Sequence, residues 1–129
     1  MQHSTEQQIY ERIEERQSRS SYYTIILTNW EHHFTKSQIH IDFYDHLVED
    51  PKAFLDRIAH FLGVDPFEAE QATIRKVYNQ GLYEGLSLPY KQKLTALFIE
   101  ELQQLHTRFD NPITTKWLAE ARQLLDKET

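Results

Sequence analysis

Apolar positions recur at helical spacing along most of the chain. From Pro51 to Leu62 they fall at Phe54, Leu55, Ile58, Ala59, Phe61 and Leu62, a broad stripe on one helix face. From Pro89 to about Phe109 they fall at Leu94, Leu97, Phe98, Leu102, Leu105 and Phe109, again at a helical period. A last helix, from Pro112, carries Ile113, Trp117, Leu118, Ala121, Leu124 and Leu125. A short one from Pro66 offers Phe67, Ile74 and Val77, and the NQGLYEGLSL stretch after it reads as a loop. Thr5 to about Phe34 is also helical in pattern. Its first half is polar apart from Ile9, Tyr10 and Ile13, and its second half is richer, with Tyr23, Ile26, Leu27, Trp30 and Phe34. One segment differs. Gln38 to Tyr44 alternates apolar and polar with β-favouring residues, which predicts a strand.

The ends of these segments are marked by local chemistry. Asp50-Pro51, Asp65-Pro66 and Asn111-Pro112 each place a short polar acceptor before a proline. The acceptor can take the first free helical amides, and proline at the first position forfeits no bond. Glu68, three residues after Asp65, completes a capping-box pattern. Gly63 supplies the stop for the helix that Asp50 starts. The expected architecture is mainly α with one β-strand, Ile39 to Phe43. A lone strand leaves its backbone groups unpaired, so it requires a partner in a dimer, a larger sheet, or a second strand within the chain. The expected core is Trp30, Phe34, Ile39, Ile41, Phe43, Phe54, Ile58, Phe61, Leu62, Leu97 and Leu102.

Composition narrows the function classes. The 129 residues suffice for one domain, and a hydrophobic content of 40% is enough for a core. The net charge of −6 argues against nucleic acid, whose binders carry a basic stripe. With no cysteine there is no disulfide, thiolate chemistry or cysteine-ligated metal. Apolar runs are only a few residues long and the N-terminus has no apolar stretch, so neither a membrane span nor a secretory signal is expected. These features together predict a cytoplasmic protein that binds neither nucleic acid nor membrane.

The stretch from Ser21 to Val64 then becomes recognisable. Ser21 and Tyr23, Trp30, the Ile39–Phe43 segment, Tyr44-Asp45-His46-Leu47, Asp50-Pro51 and Phe61-Leu62-Gly63 occur in a fixed order. This set resembles the C-terminal half of sulfotransferases that use 3′-phosphoadenosine 5′-phosphosulfate (PAPS). Downstream, Val77-Tyr78-Asn79, a proline-initiated helix and Trp117-Leu118 are similar to the family's tail. The chain departs from the pattern at His46, where the family usually has an acidic residue. The resemblance implies the C-terminal part of an α/β, P-loop nucleotide-kinase-like domain. It divides the chain into a polar helical extension, 1–20, and a sulfotransferase-like segment, 21–129.

The family's N-terminal half carries a glycine-rich loop that wraps the 5′-phosphosulfate and supplies a catalytic lysine. Such a loop needs glycine so that backbone amides can approach phosphate oxygens. Here the glycines are Gly63, Gly81 and Gly85, and none precedes a Lys-Ser or Lys-Thr at that spacing; Lys36-Ser37 has no glycine before it. Arg12, Arg16 and Arg19 stand where a second phosphate site is implied, but in a helical pattern without an Asp-Pro. The expectation is a fragment, a truncated homologue or a descendant with a rebuilt fold, catalytically incomplete by itself. Its partner would be a second copy or the missing N-terminal half. The alternative is a small helical interaction module derived from a sulfotransferase. The acceptor stays open, because variable loops build the acceptor pocket in this family.

For the cofactor, the resemblance implies Arg75, Lys76 and Gly81, as a basic loop that closes over the 3′-phosphate. Val77 follows the pair where relatives often have glycine, and two solvated cations near a helix end are the simpler reading of the pair. His40 and Asp42 share one face of the expected strand, but a metal needs three or four ligands, and a solvated polar face is the simpler reading. His32-His33 point to different sides of a helix. Glu14-Glu15 and Glu100-Glu101 read as solvated charges, and Trp30 and Trp117 as core anchors. No catalytic residue and no metal ligand is expected. Tyr44-Asp45 lies at the carboxyl end of the expected strand, where ligands bind in parallel sheets, but a strand-to-helix turn is the commoner explanation.

Overall fold

The computed structural model describes residues 5–20, 22–68, 73, 75–77 and 85–128. The chain divides into two compact units, 1–30 with 84–129, and 31–83. In chain order the helices are α1 (Glu6–Ser20), α2 (Tyr23–His33), α3 (Tyr44–Glu49), α4 (Pro51–Leu62), α5 (Leu88–Phe109) and α6 (Pro112–Leu125), with a short 3₁₀ turn at Lys36–Gln38.

The first unit is organised by the α5–α6 hairpin. Asp110 turns the chain at a positive φ of 41°, and its amide closes α5 on the His106 carbonyl at 2.8 Å. Asn111 then starts α6: its Oδ1 accepts the Thr114 amide at 2.9 Å, and Thr114 Oγ1 accepts the Asn111 amide at 3.3 Å. At the other end, Gln92 Nε2 donates to the Leu124 carbonyl at 3.1 Å and the Lys127 carbonyl at 2.7 Å. The start of α5 therefore lies against the end of α6, and the two run antiparallel. Leu105, Leu118, Ala121 and Thr114 are buried between them. Helix α1 is held to α5 by polar contacts that its polar sequence allows. Glu6 accepts from the amide and hydroxyl of Ser87, and Lys93 Nζ lies 5.7 Å and 4.9 Å from the ring centres of Tyr10 and Tyr90.

In the second unit, Asp50 caps α4 by accepting the Ala53 amide at 3.1 Å. Gly63 ends it in the left-handed region at φ 69°, with the Val64 amide reaching back to the Ala59 carbonyl at 3.1 Å. Helix α3 packs on α4, with Ala59 and Pro51 buried.

Four expectations are corrected. First, there is no strand among the described residues. Ile39 and Phe43 have extended backbone, but a ladder requires a second strand and none lies among the described residues. The alternation is also inverted at its centre. Ile41 is exposed, whereas the Asp42 side chain is only 7% exposed. The α/β arrangement expected from the resemblance is thus absent among the described residues.

Second, the long first helix is two helices, α1 and α2. Third, the helix does not begin at Pro66: Pro66–Glu68 and residues 75–77 are not helical, Thr73 is, and the rest of that expected helix lies outside the described residues. Phe67, at its expected start, is exposed, so little apolar burial is available to fix a first turn there. Fourth, Trp30, Phe34, Ile41, Phe61 and Leu62 are exposed, whereas Ile39, Phe43, Phe54, Ile58, Leu97 and Leu102 are half-buried. Phe61 and Leu62 sit in the last turn of α4. The positions where helices close on each other are taken instead by Ala59 and by residues of the α5–α6 seam.

Candidate functional site

Asp42 is a carboxylate of the second unit with several partners. Its Oδ1 accepts the Phe43 amide at 2.8 Å and lies 2.7 Å from His46 Nδ1; its Oδ2 accepts from Arg57 Nε at 2.7 Å. His40 Nε2 lies 3.7 Å from the same oxygen, and the His40 ring packs on Phe61 at 5.3 Å between centres. Burial by itself would raise the Asp42 pKa. The hydrogen bonds from Arg57, His46 and the Phe43 amide, with the guanidinium charge, outweigh it and hold the pKa at about 2. The carboxylate is therefore ionised at neutral pH and ties the 39–43 segment and α3 to α4. Sequence reasoning paired His40 with Asp42 but missed His46 and Arg57, and it left Asp42 in solvent. No group of acidic or histidine side chains among the described residues could hold a metal ion.

On α3, Tyr44, Leu47 and Val48 stand at spacings of three and four and so share a face. That face lines a cleft of about 230 Å³, to which the start of α4 adds Pro51. The segment around residue 75 adds Arg75, Lys76 and Val77. Two of the three residues expected at the cofactor are thus brought to one cleft; Gly81 lies outside the described residues. Tyr44, among the lining residues, is 72% exposed. Two cations and an aromatic ring lining one cleft suit an anionic ligand with a flat or phosphate-bearing portion.

In the first unit, Glu101 is buried, whereas its neighbour Glu100 is exposed. Glu101 accepts the Thr24 amide at 2.8 Å and the Thr24 hydroxyl, so it satisfies the first turn of α2. This corrects the reading of Glu100-Glu101 as a solvated pair, and assigns Glu101 a packing role rather than acid–base chemistry.

A family model described as a sulfotransferase domain matches residues 1–126. The chain belongs to the sulfotransferase domain family. No curated protein and no solved structure matches it. Within this sulfotransferase-family chain, the one departure in the Tyr44–Leu47 motif has a structural counterpart. His46 stands where the pattern has an acid, and here it meets the acid of Asp42. Among the described residues no helix is long and apolar enough to cross a membrane.

Proposed function

We propose that the chain carries the C-terminal portion of a domain that transfers a sulfuryl group from PAPS to an acceptor hydroxyl or amine. The observation that carries this reading is the cleft in which Tyr44 lies with Arg75 and Lys76. PAPS supplies an activated sulfuryl group, whose bond to the 5′-phosphate oxygen breaks as the acceptor atom bonds to sulfur. The cations of Arg75 and Lys76, with Gly81 beyond them in the chain, are proposed to meet a phosphate of the nucleotide. A cleft of about 230 Å³ is smaller than the roughly 300–1,000 Å³ of a complete small-molecule pocket. It suits one end of the nucleotide and leaves the remainder to residues outside it.

Sulfuryl transfer also needs amide donors and a lysine at the departing 5′-phosphate oxygen. Gly63, Gly81 and Gly85 do not provide a loop of that kind. We therefore assign this chain a nucleotide-contacting part of the site without transfer activity of its own. In this reading residues 1–20 extend the segment 21–129. Titration with adenosine 3′,5′-bisphosphate, the desulfated nucleotide, tests it. Amide signals at Arg75, Lys76 and Val77 should move on addition. Unmoved signals there, or a response confined to other residues, would refute the assignment.

A second reading is an interaction module retained from such a domain. It is favoured by the exposure of Val48, Leu62, Val64 and Val77 in one unit. A second copy or the rest of the domain would cover them. Light scattering that gave a monomer at high micromolar concentration would exclude the self-associating version.

A further inference from the structure

We infer that Asp42 and His46 are positioning residues for the cleft, because their pairing sets where α3 places its cleft-lining face. This inference rests on the reading of the cleft as a nucleotide site. Helix α3 has six residues, too few to hold itself without tertiary ties. Its N-cap, Phe43, offers no side-chain cap. Asp42 takes over that work: Oδ1 accepts the Phe43 amide and pairs with His46 in the first turn, while Oδ2 accepts from Arg57 on α4. Tyr44 and Val48 share the cleft face, and His46, two positions from each, falls on the other side of the helix. Releasing His46 therefore frees the wall that carries Tyr44 while leaving every cleft residue chemically intact.

The test compares wild-type chain with His46→Leu, His46→Asn and Asp42→Asn. Asn at position 46 keeps a donor near the place of Nδ1; Leu removes it. Amide NMR signals of Lys76 and Val77 report the cleft from a part of the chain distant in sequence. The inference expects His46→Leu to shift those signals and to weaken adenosine 3′,5′-bisphosphate by roughly tenfold, as loss of positioning does. His46→Asn should restore both. Should His46→Leu fail to fold, Asp42→Asn carries the same expectation in milder form. Lys76 and Val77 signals that stay at wild-type positions in folded His46→Leu or Asp42→Asn, with only a lower melting temperature, would overturn it. If wild-type chain shows no response to the nucleotide, the cofactor reading fails. The Lys76 and Val77 signals without nucleotide then still decide whether the pair positions the cleft.

Discussion

The carboxylate of Asp42 accepts from Arg57 Nε at 2.7 Å with its side chain only 7% exposed, so an extended segment is fastened to α4 through a buried charge. This fixes the sign of its pH dependence. The Asp42 pKa falls from its ordinary 3.8 to about 2 in the folded chain. A depressed carboxyl contributes stability that is fully present above the unfolded value and lost as pH falls through the folded one. Acid titration of urea stability should show a loss between about pH 4 and pH 2, on the order of 2 kcal/mol at most. Asp42→Asn should flatten that limb.

Glu101 and Thr24 give a second prediction. Glu101→Ala leaves the Thr24 amide and hydroxyl without their acceptor in a part-buried place. Urea unfolding should show a loss of about 1–3 kcal/mol. Glu101→Gln, which keeps an acceptor oxygen, should lose less. Equal losses would mean that the charge, rather than the hydrogen bonds, holds α2 to α5.

At Gly63 the backbone itself is the constraint. An added Cβ meets nothing within 4 Å, but φ is +69°, a conformation that L side chains rarely adopt. Gly63→Ala should therefore cost about 1–2 kcal/mol of strain with no packing change. Gly63→Asn should cost less, since Asn tolerates this region.

The parts legible in the sequence are those fixed within a few residues. Asp50 and Asn111 accept the amides their spacing implied, and Gly63 ends α4 as a left-handed residue, because a cap needs only its own turn. The Ile39–Phe43 segment shows the limit of that locality. Alternation signals extended backbone, which is present, but a strand exists only with a neighbour. Burial of Asp42 rather than Ile41 came from Arg57, fifteen residues away, and no periodicity encodes such a meeting. Glu101 failed for the same reason, because its partner Thr24 lies 77 residues off. In the candidate site, Arg75 and Lys76 were proposed through the family resemblance alone, and local pattern gave no sign of the cleft they line. Their cleft depends on α3, a six-residue helix fastened to α4 through Asp42 and Arg57, fifteen residues apart.

The most direct test of the account is the affinity of this chain by itself for adenosine 3′,5′-bisphosphate, measured by calorimetry or NMR titration. A nucleotide-contacting part of a site, with Arg75 and Lys76 as its cations and no glycine-rich lysine loop, should bind more weakly than about millimolar, a free energy of only about 4 kcal/mol. Arg75→Ala with Lys76→Ala should remove the response at the cleft. A micromolar constant abolished by that double change would contradict the account, because it would mean that this chain contains a complete cofactor site.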